Sequence, residues 1–460
     1  MRLDFYSSAL IVYVLTICEK FGSTADDGPI IFPIRLATHT INFTTLEGKK
    51  VEGTGSVGFI AQANIGRPPQ QMNLFIDTGS SDIAVISYEE ENLVSPFYMN
   101  RSSSFRPTGE LALKKFVEGG YNGTIGSDIL EWGAASPIRT PIIAITSSEN
   151  MFPHHSQWQG LWGLAFPPLT KEQSFMEALR FQKGITHYIV SFCEQNATDS
   201  AQSSGVLSFN GKVPEGTIFT SVYIPAYFSV YVTSIKLGAR EWPGSCSELN
   251  EKPVIVDYGT TDLKVPQVVF DWMFDALCEQ AAYNFSREDN AVYCLEDGLL
   301  RADLPTLEIF LPDTHGKIFS LKLPPTVLFQ EVSLKRGDHG CFRLGVGALP
   351  KDFLIGYSIL KGLTTVFDLG NKRVGFSPLH CDANDVIVKY VDKNYTGHSC
   401  RWDLPSVDTG KTWGVFLYII VATCLLCGVP FLIAGLMWLR KRILIYRGRA
   451  VSDRVGLIEI

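Results

Sequence analysis

The sequence predicts a mainly β protein of two pseudo-symmetric lobes with a cleft between them, followed by one C-terminal transmembrane helix. Three observations carry that expectation. A short apolar run ending in an acid on a Gly-hydroxyl turn occurs twice. Leu74, Phe75 and Ile76 lead into Asp77, Thr78, Gly79, Ser80 and Ser81, and Val254, Ile255 and Val256 lead into Asp257, Tyr258, Gly259, Thr260 and Thr261. Each acid is followed by a later apolar-apolar-Gly run, around Gly163 in 159–166 and around Gly356 in 353–360, so the chain repeats itself in halves. Finally, 413–439 is uncharged and apolar, longer than the roughly 20 residues that cross a bilayer.

A carboxylate at the end of a buried strand is unfavourable unless something stabilises it. Gly79 and Gly259 let the backbone turn sharply, and Ser80 and Thr260 bring hydroxyl donors. One such acid would read as a loop cap; two in matched contexts read as a pair of carboxylates. Composition narrows the rest. The 460 residues suit two or three domains, and a net charge of −7 with only a short basic run near the C-terminus excludes a nucleic-acid footprint. No zinc-type spacing is present, and the adjacent His154 and His155 read as loop residues, so neither metal nor cofactor is expected. A Ser/His/Asp site is not indicated, because no G-x-S-x-G follows a strand.

DTGSS with a later D-x-G-T-T resembles the two active-site loops of the pepsin-like aspartic proteases, and among these the chain is most similar to the membrane-anchored beta-secretases. The resemblance runs from about residue 55 to beyond residue 400 and continues into the anchor. It implies a bilobal pepsin-like fold and an endopeptidase acting on protein or peptide substrates, with Asp77 and Asp257 catalytic. Thr78, Gly79, Ser80, Gly259 and Thr260 would support the two loops. The stretch 115–129 would be the flap hairpin, with Gly119–Gly120 as its turn and Phe116 and Tyr121 facing the cleft. Phe116 stands where family flaps usually carry a tyrosine.

In chain order, 1–25 reads as a secretory signal: Arg2, an apolar run over 8–18, then Gly22, Ser23 and Ala25. Residues 26–53 are polar with an apolar patch at 30–34. The resemblance makes them a candidate pro-segment, with Lys49–Lys50 as a processing site. Strand alternation begins near Val57, and 58–66 and 67–79 read as two strands joined through Pro68–Pro69. The N-terminal lobe is expected over 54–220 and the C-terminal lobe over 221–403, with helices at 174–181 and 267–281. A juxtamembrane linker (404–411), the transmembrane helix (412–439) and a tail (440–460) complete the chain. Trp413 and Trp438 read as interface anchors, Pro430 as a kink, and Arg440–Lys441–Arg442 as the cytoplasmic flank. Six glycosylation sequons, at Asn42, Asn100, Asn122, Asn196, Asn284 and Asn394, all precede the span. Together these predict a single-pass type I protein of the Golgi, endosome or plasma membrane. Around Asp453, Leu457 and Ile458 the tail resembles an acidic dileucine signal for sorting adaptors.

Of ten cysteines, Cys18 would leave with the signal, and Cys424 and Cys427 lie in the span. Seven remain, an odd number that fixes no connectivity. The resemblance implies Cys193–Cys381, Cys246–Cys400 and Cys294–Cys341, leaving Cys278 unpaired; a pairing that uses Cys278 is the alternative. The main departure from the family is Tyr258, where Thr or Ser would bond across to the opposite loop. A ring in a threonine-sized space predicts a slow enzyme, or a weak or inactive relative that binds peptides or ectodomains. A loop rebuilt around the ring predicts the reverse.

Overall fold

The first strand shows how the architecture arises. Ile30, Phe32 and Ile34 are buried while Ile31, Pro33 and Arg35 face out, the period of two that makes a sheet element. The computed structural model describes residues 28–394, except 90–94, 117–118, 133–135, 153–155, 168–172, 193–204, 282–284, 289, 295–303, 336–340 and 380–385, together with 436–440 and 442–443. Residues 1–402 and 403–460 form separate compact units. The expected signal, the linker and most of the expected span and tail lie outside the described residues. Among the described residues no helix is long and apolar enough to cross a membrane; Leu436 to Arg440 are helical.

The larger unit is mainly β and bilobal. Ile30–Thr45 pairs antiparallel with Gly205–Phe209, and the sheet continues through His187–Phe192, Leu363–Asp368, Arg373–Pro378 and Ile218–Ser221. Strands from both halves of the sequence therefore build one base sheet. Its apolar face is aromatic: Phe32 lies edge-on to Trp162 and Phe209, and Tyr188 stacks on Phe367. Such pairs add about 0.5–1.5 kcal/mol each beyond area burial.

Each lobe repeats one local plan. Gln70–Asp77 runs parallel to Gly160–Gly163, which pairs antiparallel with Ile83–Ile86 on its other edge. Val254–Val256 runs parallel to Phe353–Ile355, which pairs antiparallel with Leu263–Pro266. At Gly163 and Gly356 the backbones meet closely: a Cβ on Gly163 would lie 2.4 Å from Asp82 N, and one on Gly356 2.1 Å from Asp262 O. The expected helices form as Phe175–Lys183, with a capping box between Ser174 and Glu177, and Gln267–Gln280.

The polar stretch near the N-terminus is more regular than its composition suggests. Lys50–Ile65 starts well before Val57 and pairs with Ile30–Thr45 down to Thr44 opposite Lys50, so the two form a long hairpin turning at Gly48 (φ 75°). The residues of 26–53 thus contribute Ile30, Phe32, Ile34 and Phe43 to the buried interior. β-Branched and aromatic residues at Thr38, Thr40, Ile41, Phe43 and Thr44 favour this extended backbone. The hairpin's far end crosses to the C-terminal lobe. Thr44 and Thr45 pair with Ala291 and Val292, and Gly53 and Thr54 with Leu334 and Ser333. A separate apolar cluster of Phe43, Val292, Val332, Leu334 and Cys341, flanked by Ile41 and Val51, fills the junction. Phe43→Ala is expected to destabilise the protein by about 3–5 kcal/mol, as for other fully buried phenylalanines; urea denaturation of the two proteins side by side measures it.

Candidate active site

Both turns deliver a carboxyl to the same place. Asp77 ends its strand, and its Oδ1 accepts the Gly79 N–H at 2.8 Å while its Oδ2 accepts the Ser80 hydroxyl. Asp257 repeats this, with Gly259 N–H at 2.8 Å and the Thr260 hydroxyl at 2.7 Å. The loops then interlock. A Cβ on Gly259 would sit 2.3 Å from Asp77 Oδ1, and one on Gly79 would meet the Asp257 carboxyl at 3.0 Å. Only glycine at 259 leaves room for the Asp77 carboxyl, and a side chain at 79 would crowd that of Asp257. The two carboxyls hydrogen-bond to each other and are 7% and 8% exposed. Burial, then the neighbouring Asp257 charge, pushes Asp77 up to about 7. Burial also raises Asp257, against the Thr260 and Gly259 hydrogen bonds that favour its charged form. Two acids this close hold one proton between them, so the pair offers a base and an acid at once.

The chain matches the eukaryotic aspartyl protease family over residues 58–379, a span that contains both loops. It belongs to that family. A beta-secretase of Strongylocentrotus purpuratus is 27% identical over 484 aligned positions, covering 93% of this chain and 88% of the relative. Gastricsin of Callithrix jacchus is 27% identical and gastricsin of Homo sapiens 26%, each covering 69% of this chain and 81% of the relative.

Within this member of the family the two loops are not equivalent at Thr78 and Tyr258. The Thr78 hydroxyl accepts the Tyr258 backbone N–H at 3.0 Å and donates to the Val256 carbonyl at 3.1 Å, tying the first loop to the second. The Tyr258 ring does not return that clasp. It lies 1% exposed with Phe59 at 5.6 Å and Phe367 at 6.0 Å between ring centroids. Its hydroxyl reaches the Leu360 carbonyl (3.4 Å) and the Thr365 hydroxyl (3.3 Å). The expectation of a ring in a threonine-sized space is therefore corrected: the ring fills an aromatic pocket shared with the N-terminal strand that carries Phe59.

The hairpin expected at 115–129 forms between Arg106–Lys115 and Gly120–Glu131, with Lys114 opposite Tyr121. Phe116 is half-buried, 5.9 Å from the buried Tyr121 ring. Burial first, then the Asp82 and Asp77 charges, raises the Tyr121 hydroxyl pKa. Sequence reasoning missed two charged groups here. Lys114 reaches Asp82 at 2.7 Å, tying the hairpin to the first loop. In the second loop the buried Arg343 holds Asp262 at 2.7 and 3.0 Å, with Gln330 at 3.1 Å. The signal available was an acid at the same place in both motifs, Asp82 and Asp262, five residues after each candidate acid.

Cys294 and Cys341 are joined by a disulfide, and Cys278 is free and half-buried. Cys246 is also disulfide-bonded; Cys193, Cys381 and Cys400 lie outside the described residues. Asn42, Asn100 and Asn122 are exposed, and Asn394 ends the strand Ile387–Asn394. Asn196 and Asn284 lie outside the described residues.

Replacing Tyr258 separates its ring from its hydroxyl. Tyr258→Thr empties the aromatic pocket and is expected to lower stability by about 3 kcal/mol. Tyr258→Phe forfeits two long hydrogen bonds and is expected to lose about 1 kcal/mol. Urea denaturation of both variants against the parent checks the order.

Proposed function

We propose that the chain is a membrane-anchored aspartic endopeptidase that hydrolyses protein substrates, including the ectodomains of other membrane proteins. The single observation that supports this is the interlocked pair of buried carboxyls, each held by a glycine N–H and a hydroxyl of its own loop. In this reading Asp257 is ionised and takes a proton from a water set between the two acids. Asp77 is protonated and donates to the oxygen of the scissile carbonyl as the water attacks its carbon. As the tetrahedral diol collapses, Asp257 gives its proton to the leaving amine nitrogen and Asp77 takes one back from a diol hydroxyl, so the pair ends as it began and no covalent intermediate is required. Ser80 and Thr260 orient the carboxyls, and Phe116 and Tyr121 form the apolar side above them. The alternative of an inactive peptide-binding relative drew its support from Tyr258, and a ring housed in a fitted pocket withdraws that support.

The same reading keeps the expected anchor at 412–439, the lumenal sequons and a cytoplasmic tail for sorting adaptors. Processing at Lys49–Lys50 would nick the turn of the N-terminal hairpin while both its arms stay paired, so the stretch before it remains part of the folded protein.

Asp77→Asn and Asp257→Asn should each remove the cleavage that a pepstatin-type inhibitor blocks, assayed on mixed peptides at acid pH, while the protein stays folded. Full activity in either variant would refute the reading. The raised carboxyl pKa values also carry a sign. Between the ordinary value of 3.8 and about 7 the folded protein holds more protons than the unfolded chain. Stability should therefore fall as pH rises through that window, and Asp77→Asn should flatten the fall in a series of melting temperatures. For topology, a C-terminal tag on intact cells should become accessible to antibody only after permeabilisation.

A further inference from the structure

Asp82 and Asp262 stand at matching places in the two acid loops and are put to different uses. We propose that Asp82 and Lys114 form a latch that seats the hairpin Arg106–Glu131 on the first acid loop and so sets how firmly the cleft grips a peptide. Lys114 is thereby a positioning residue, because it acts through the rings that the hairpin carries. The consequence for substrate rests on the peptidase reading above; the seating of the hairpin does not.

The two acids are best compared by what holds them. Asp262 is bonded by Arg343 at 2.7 and 3.0 Å and by Gln330 at 3.1 Å, both buried side chains on strands of its own lobe. That pairing stiffens the second loop from within. At the matching place Asp82 meets Lys114 at 2.7 Å, on a hairpin instead. The Asp82 backbone is fixed without this contact: its carbonyl accepts the Gly163 N–H at 2.9 Å, and a Cβ on Gly163 would lie 2.4 Å from its nitrogen. Asp82 is therefore a rigid post, and what the ion pair restrains is the hairpin. The two side chains are 27% and 11% exposed, against 41% and 62% for the surface pair Arg240–Glu279, so solvent screens the latch less.

The hairpin arm that carries Lys114 has need of a tether. Arg106–Lys115 is the outermost strand of its sheet, and its pairing with Gly120–Glu131 breaks register between Pro107 and Leu111. A strand held along one side can shift or fray more easily than one held along both. Leu111 and Leu113 face outward, 81% and 68% exposed, while Ala112 is buried. Lys114 shares the inner face with Ala112 and lies directly opposite Tyr121. The Tyr121 hydroxyl feels the charges of both Asp82 and Asp77, which puts that ring near the latch and near the dyad. Phe116 packs against it with 5.9 Å between ring centroids. Seating Lys114 on Asp82 therefore also seats the two rings beside the acids.

The test uses the full-length protein in detergent. Hydrogen–deuterium exchange over residues 106–131 should rise at least about 3-fold in Lys114→Met and in Asp82→Asn, with melting temperatures within about 5 °C of the parent. Lys114→Arg keeps the charge and should exchange like the parent. The double variant Asp82→Asn/Lys114→Met should be no worse than either single variant, since the cycle separates the pair from any other contact of either side chain. On one peptide that the parent cuts in a pepstatin-sensitive manner, each single variant should raise KM about 3- to 10-fold while kcat falls by less. That split marks contacts made alike to bound substrate and transition state, and a general loss of structure would not produce it. Unchanged exchange in both single variants, effects that add in the double variant, or melting temperatures far below the parent's would overturn the latch. A fall in kcat with KM unmoved would overturn its part in gripping substrate. If the parent shows no inhibitor-sensitive cleavage, the peptidase reading fails, and the exchange measurement still decides whether the hairpin is latched.

Discussion

The contact on which the rest depends is the mutual fit of two carboxyls and two glycines. Asp77 can lie against the second loop only because Gly259 has no side chain, and Asp257 lies against the first where a side chain on Gly79 would crowd its carboxyl at 3.0 Å. Two buried acids repel unless they share a proton, so the closeness that glycine permits also sets their proton-binding behaviour. Everything around them serves that fit. Parallel strands end at the acids, Gly163 and Gly356 let the next strands close in, and the base sheet draws strands from both halves so that the loops face one another.

Symmetry of this kind invites identical solutions on both sides, and the molecule departs from it with a reason each time. Thr78 gives a compact hydroxyl clasp between the loops. Tyr258 gives a large apolar contact with Phe59, itself on the strand that enters from the N-terminal hairpin. A clasp and a wedge both restrain the loops, one by directional bonds and one by volume, and a dense interior transmits either. The acids at Asp82 and Asp262 diverge in the same manner: one is tethered to the hairpin by a half-buried lysine, the other to strands of its own lobe by a buried arginine.

Much of this was legible in the sequence. The paired strand-acid-glycine motifs and the later apolar-apolar-Gly runs are local signals, and they found both acid loops and the repeat in the fold. The helix expected at 174–181 forms as Phe175–Lys183, and its capping box between Ser174 and Glu177 is a local signal the sequence also carried. The N-terminal hairpin was not legible, because its outer edges are completed by partners about 175 to 280 residues away, and its alternation is interrupted by threonines and a bulge between Ala37 and Thr38. Tyr258 was read by comparison with what usually stands there, and volume alone suggested a misfit. Its pocket is assembled from Phe59, Leu360, Thr365 and Phe367, which no local window brings together.

The hairpin also imposes an order on biosynthesis. Ser56 and Tyr357 are bonded across 301 positions of chain, and Glu52 and Lys335 across 283. At translation rates of about 5–20 residues per second, the early strands wait roughly 15–60 s for the partners that complete them. During that interval the hairpin presents Phe43 and an unpaired sheet edge, the features by which nascent chains aggregate or are held by chaperones. The hairpin of Ile30–Thr45 and Lys50–Ile65 is made well before the strands that complete it.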